Sequence, residues 1–90
     1  MKTIWKFILS LDDLTIAMPQ GAILLTAREQ HEQICIWAEI NTDARQEERT
    51  FEIFGTGHII QEDMGIERKY IGTAILAGGD FVFHVYERVN

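Results

Sequence analysis

Gln33-Ile34-Cys35-Ile36-Trp37-Ala38-Glu39-Ile40-Asn41 is the stretch whose reading decides the fold class. Ile34, Ile36, Ala38 and Ile40 face one way, while Cys35, Trp37 and Glu39 face the other, the period-two alternation of a β-strand. Both faces are apolar over part of the length, as in an inner strand touched on two sides. Phe81, Phe83 and Val85 alternate with Val82, His84 and Tyr86 in the same manner. Working outward, alternation predicts seven strands: Thr3–Leu9, Leu14–Ala17, Ala22–Gln30, Gln33–Asn41, Arg49–Gly57, Tyr70–Ala77 and Asp80–Arg88. No segment carries a sustained helical stripe. The nearest, Thr42 to Arg49, offers only Ala44 as an apolar face and reads as a loop or a single turn. An all-β chain with no covering helix must pack sheet on sheet or curl on itself. The expected fold is a small antiparallel β-sandwich or a partly open barrel.

The joints differ in quality. Asp12-Asp13 and Pro19-Gln20-Gly21 are good turn material, and Gly78-Gly79 is the strongest hairpin signal. His31-Glu32 has no turn former, so a hairpin or one long bent strand fits there. From His58 to Lys69 the pattern breaks into a polar connection containing Gln61-Glu62-Asp63-Met64-Gly65. Trp37, central in the most continuous pattern, is expected in the core, where its truncation would cost about 3–5 kcal/mol.

At 90 residues and 10.4 kDa the chain has room for a single β domain over residues 1–90. A folded monomer of this mass has a surface of about 5,400 Å². The composition, 47% apolar and 24% charged with one proline, is that of an ordered globular protein. Eight basic against fourteen acidic residues give a net charge of −6 and a pI near 4.9. That acidity disfavours nucleic acid, and the basic residues form no stripe. Apolar runs are too short for a membrane span, and the opening Met1-Lys2-Thr3-Ile4-Trp5-Lys6-Phe7 does not read as a signal peptide. Cys35 is the only cysteine, inside an apolar run, and reads as a small buried hydrophobe rather than a reactive thiol.

The chemistry-bearing candidates are few. Phe54-Gly55-Thr56-Gly57-His58 has a Gly-x-Gly step, but neither the third glycine nor the lysine and helix of a phosphate-binding loop. It reads first as a bend and second as a ligand contact through Gly55, Thr56, Gly57 and His58. Gly72-Thr73 reads as another bend or a place of close backbone approach. His84 reads as half-buried and hydrogen-bonded, and as a second ligand contact; His31 reads as a solvent-facing turn residue. His31, His58 and His84 have no metal-ligand spacing, so no metal or cofactor is expected. Cys35 with His58 or His84 is the one thiol–imidazole option, and Glu62-Asp63 and Glu47-Glu48 lie in polar connections. None forms a catalytic motif, and no enzyme is expected.

Several fragments in order carry a resemblance: the opening Met1 to Phe7, Met18-Pro19-Gln20-Gly21-Ala22-Ile23-Leu24, Cys35-Ile36-Trp37-Ala38, Arg49-Thr50-Phe51, Phe54 to His58, Tyr70-Ile71-Gly72-Thr73 and Val82-Phe83-His84-Val85. Together they resemble a family of small proteins encoded by tailed bacteriophages and prophages. The resemblance implies a viral accessory protein made in the bacterial host cytoplasm, and it carries across no activity and no functional residue.

The leading expectation is a non-enzymatic phage accessory protein that binds a host macromolecule and modulates a host process or defence. The alternatives are a small-molecule-binding or sequestering protein, with a pocket near the Gly55–His58 bend, and a minor virion structural protein. Seven strands in so small a body leave edges open unless the sheet closes, so either a homodimer or a closed monomeric barrel is expected.

Overall fold

The computed structural model describes residues 1–62 and 65–89. They form seven strands: β1 (Lys2–Leu9), β2 (Thr15–Pro19), β3 (Ile23–Gln30), β4 (Gln33–Asn41), β5 (Gln46–Gly55), β6 (Arg68–Leu76) and β7 (Phe81–Arg88). The fold is all-β. A single sheet in the order β1-β4-β3-β6-β7-β5-β2 curls into a flattened, partly open barrel, with β1 and β2 as the unsealed edges. Asp63 and Met64, part of the predicted polar connection, lie outside the described residues.

The expected antiparallel arrangement holds at every junction but one. β3 and β6 run parallel and, among the described residues, share one ladder pair, Ala27 with Gly72. A Cβ on Gly72 would run into the Ala27 carbonyl oxygen and lie 2.7 Å from the Ala27 nitrogen. Glycine is what lets the two halves of the sheet touch, which is the close approach the sequence admitted at this point.

The turns settle by backbone conformation. His31 and Glu32 both adopt positive φ, 53° and 60°, and close a two-residue hairpin between β3 and β4. Its backbone twist matches the strands, although neither residue is a preferred turn former. The Glu29 carboxylate accepts the Glu32 N–H at 2.8 Å, and Glu32 Oε2 accepts the Ala77 N–H at 3.0 Å. The second contact ties this hairpin to the β6–β7 turn. The segment Thr42 to Arg49 differs from expectation: β5 begins at Gln46, because Gln46 to Thr50 pair with β2 although they are polar.

The inner face holds Leu9, Met18, Ala22, Ala27, Ile34, Ile36, Ala38, Ile40, Phe51, Ala74 and Val85. Ile34, Ile36, Ala38 and Ile40 point inward together, as alternation required. The surface is 5967 Å², somewhat above that of a closed body of this mass. Cys35 is fully buried.

Trp37 departs from the reading of it as core. It belongs to the outer face of β4 and is half-buried, opposite Lys6 of β1 and Thr26 of β3. Phe51 is the large aromatic that fills the interior. Trp37→Ala should therefore cost about 1–2 kcal/mol in a urea melt, well short of the 3–5 kcal/mol of a fully buried tryptophan.

Candidate functional site

The outer face of the β5-β7-β6 sheet gathers the chemistry-bearing side chains. Register places Phe54 opposite His84, Glu52 opposite Tyr86, Tyr70 opposite Tyr86 and Thr73 opposite His84. Tyr70 and Thr73 share this face only because a bulge between Tyr70 and Gly72 inserts one extra residue and shifts the alternation.

His84 is the hub. Its Nε2 lies 2.8 Å from Thr56 Oγ1 and its Nδ1 lies 3.2 Å from Thr73 Oγ1. Thr73 Oγ1 in turn meets the Tyr70 hydroxyl at 2.5 Å. A hydroxyl both donates and accepts, so the chain Thr56–His84–Thr73–Tyr70 closes with either imidazole tautomer. Alongside it runs an aromatic ladder. Tyr86 stands edge-on to Phe54 at 5.7 Å and to Tyr70 at 5.4 Å between ring centroids. The Arg68 guanidinium sits 5.7 Å from the Phe54 centroid, donates to Glu52 Oε1 at 3.0 Å and to the Gln61 carbonyl at 3.1 Å. Arg68 thus ties the connection after β5 to the sheet.

Of the five residues singled out in the sequence, the structure brings Thr56 and His84 together and turns His58 elsewhere. Gly55 to His58 form a tight turn, with the His58 N–H donating to the Gly55 carbonyl at 3.0 Å and Gly57 at φ 86°. The His58 ring folds back over Gly55, and its Nδ1 accepts the Gly55 N–H at 3.2 Å. A Cβ on Gly55 would lie 2.7 Å from that ring. Gly55, Gly57 and His58 therefore build the turn that delivers Thr56 to His84. Tyr70, Thr73, Tyr86, Phe54 and Arg68 were not singled out as site residues. Tyr86 was legible as a neighbour of His84 on one strand face, whereas the bulge that recruits Tyr70 has no sequence signal.

A depression of about 210 Å³ beside the turn is lined by Gly55, Thr56, His58, Asp80, Phe81, Val82 and Phe83. A second, of about 270 Å³, lies between Ile8, Leu9, Ile34, Leu76 and Phe83. Both fall below the roughly 300–1,000 Å³ of small-molecule sites. Among the described residues, no three histidine, cysteine or acidic side chains come close enough to hold a metal ion, and no helix is long and apolar enough to cross a membrane.

A second cluster of charge lies inside the barrel. Glu87, only 5% exposed, receives Arg49 Nε at Oε2 and Arg49 Nη2 at Oε1, the latter at 3.0 Å. Arg49 Nη1 donates to the Ala22 carbonyl at 2.9 Å. The hydrogen bond to Glu87 holds the guanidinium above its ordinary pKa, aided by the charges of Glu87 and Glu47 and opposed by burial. This pair clamps β5, β7 and the start of β3. It is architecture.

Residues 1–90 match the profile of a family described as a domain of unknown function, DUF7352. The chain belongs to that family. No curated protein and no solved structure matches it. DUF7352 membership spans both the His84 network and the turn that feeds it.

Proposed function

We propose that this chain is a non-enzymatic accessory protein of phage origin that binds a host protein in the bacterial cytoplasm. The binding surface is the outer face of β6-β7-β5. The observation that carries this reading is the exposed Tyr70, 53% accessible, backed on the outer face of the sheet by the half-buried Tyr86, Phe54 and Arg68. Tyrosine and arginine are the side chains enriched at binding hot spots, where large rigid rings offer contact area at small entropic cost. Here the rings are braced before any partner arrives, by edge-on contacts and by the Thr73 and His84 hydrogen bonds. The resemblance to phage and prophage proteins supplies the host setting, and a net charge of −6 turns phosphate backbones away.

Size weighs against the small-molecule alternative, since the depression beside Gly55, Thr56 and His58 holds only about 210 Å³. The experiment is capture from a bacterial lysate on immobilised wild-type protein and on Tyr70→Ala, with native mass spectrometry of the purified chain run alongside. A host protein retained by the first and lost from the second is the expected result. A retained small molecule, or equal capture by both, contradicts the reading.

A further inference from the structure

The free edge of β1 lies on the opposite half of the sheet from the tyrosine face, and its chemistry is independent of it. The Thr42 N–H donates to the Met1 carbonyl at 2.8 Å, which makes Met1 and Thr42 a hydrogen-bonded pair of the β1–β4 ladder. Such pairs recur at every second residue of an antiparallel ladder. Thr3, Trp5, Phe7 and Leu9 therefore direct their backbone groups to β4. Lys2, Ile4, Lys6 and Ile8 direct theirs to the open side, where no strand pairs with β1 among the described residues. The other edge, β2, is five residues long and ends in Pro19. β1 has eight residues, no proline, and Ile4, Trp5 and Ile8 exposed at 58%, 42% and 51%. A long apolar edge of this kind is a template for another strand.

We infer that β1 pairs antiparallel with β1 of a second copy, across a two-fold axis at Trp5. Charge and overlap together select that register, since centring on Thr3 or Phe7 pairs only two of the four outward residues of β1. Two strands related by a two-fold axis perpendicular to the sheet can centre only on a residue whose partners share its face. Centring on Ile4 sets Lys2 against Lys6 of the second copy, and centring on Lys6 sets Lys6 against itself. Both place like charges directly opposite, which is destabilising. Centring on Trp5 sets Lys2 against Ile8 and Ile4 against Lys6, so each lysine stem lies along an apolar side chain. The free backbone groups of Lys2, Ile4, Lys6 and Ile8 then form about eight hydrogen bonds with their counterparts. Trp5 meets its own copy in a non-hydrogen-bonded pair, where side chains approach most closely. Lys2 is already partnered by Glu39 at 3.8 Å, which lowers the positive charge at the junction.

Native mass spectrometry at about 50 μM reads the assembly directly. The wild-type chain is expected at twice its 10.4 kDa mass, and a monomer overturns the inference. Lys6→Pro removes an outward N–H, which an edge strand tolerates, and is expected to give a folded monomer; a folded Lys6→Pro dimer overturns it. Trp5→Cys fixes the register without depending on that fold. Oxidation should link two Trp5→Cys chains and leave Ile4→Cys chains unlinked, since the native Cys35 is buried. The reverse pattern overturns the register.

Discussion

Gly72→Ala is expected to destabilise the protein by about 3 kcal/mol or more, the upper end for added volume in a packed site. The added methyl meets the Ala27 backbone, not a flexible side chain, and it does so at the ladder pair between β3 and β6. Neither strand can yield without opening the β3–β6 junction. For a domain of this size about 3 kcal/mol corresponds to a fall in melting midpoint of about 12–24 °C. Gly21→Ala is the control. Gly21 has open space around it but a φ of 81°, so the same methyl should cost only about 1–2 kcal/mol through backbone strain. Thermal melts of the two variants decide the matter, and equal midpoints would show that the junction is not a close contact.

Glu87→Ala is the second large effect, at about 2–3 kcal/mol, because it takes the bidentate partner from the half-buried Arg49 and leaves it only Glu47, at 3.7 Å, and the Ala22 carbonyl. Part of the loss comes from a half-buried charge left with a weaker partner, and part from the missing attraction. The double variant Arg49→Met with Glu87→Leu should therefore recover most of the stability in urea melts, since apolar replacement of a whole buried pair is often neutral. A double variant as unstable as Glu87→Ala would mean that the pair is irreplaceable. The pH sign follows from the raised Arg49 pKa. Its contribution is complete below the unfolded value and is lost only as pH rises through the folded one, beyond the neutral range.

The seven strands were legible because alternation and inner-face apolarity coincide in them, most plainly from Ile34 to Ile40. Three features were not legible, each for a physical reason. The start of β5 at Gln46 follows from pairing with β2, which polar residues satisfy through their backbones. The parallel contact of Ala27 with Gly72 is a long-range meeting, for which a glycine in a strand is only a licence. The bulge beside Tyr70 moves that ring to the outer face, and a one-residue shift reverses every side chain beyond it. The sequence points Trp37 to the core because apolar residues occupy both faces of its strand. The larger inward cluster took the core, and Trp37 remained on the outer face. At the site, Thr56 and His84 were singled out and do meet, whereas His58 serves the turn that carries Thr56.

On the proposed function, the tyrosine face, and not the glycine turn, recognises the partner. Calorimetric titration of the captured host protein into wild type, Tyr70→Ala and His58→Ala tests it most directly. Tyr70→Ala should weaken binding by about 30-fold, the roughly 2 kcal/mol of a hot-spot residue, while folded His58→Ala stays within about twofold of wild type. Unchanged affinity for Tyr70→Ala together with a large loss for His58→Ala would contradict the account and return the site to the Gly55–His58 turn.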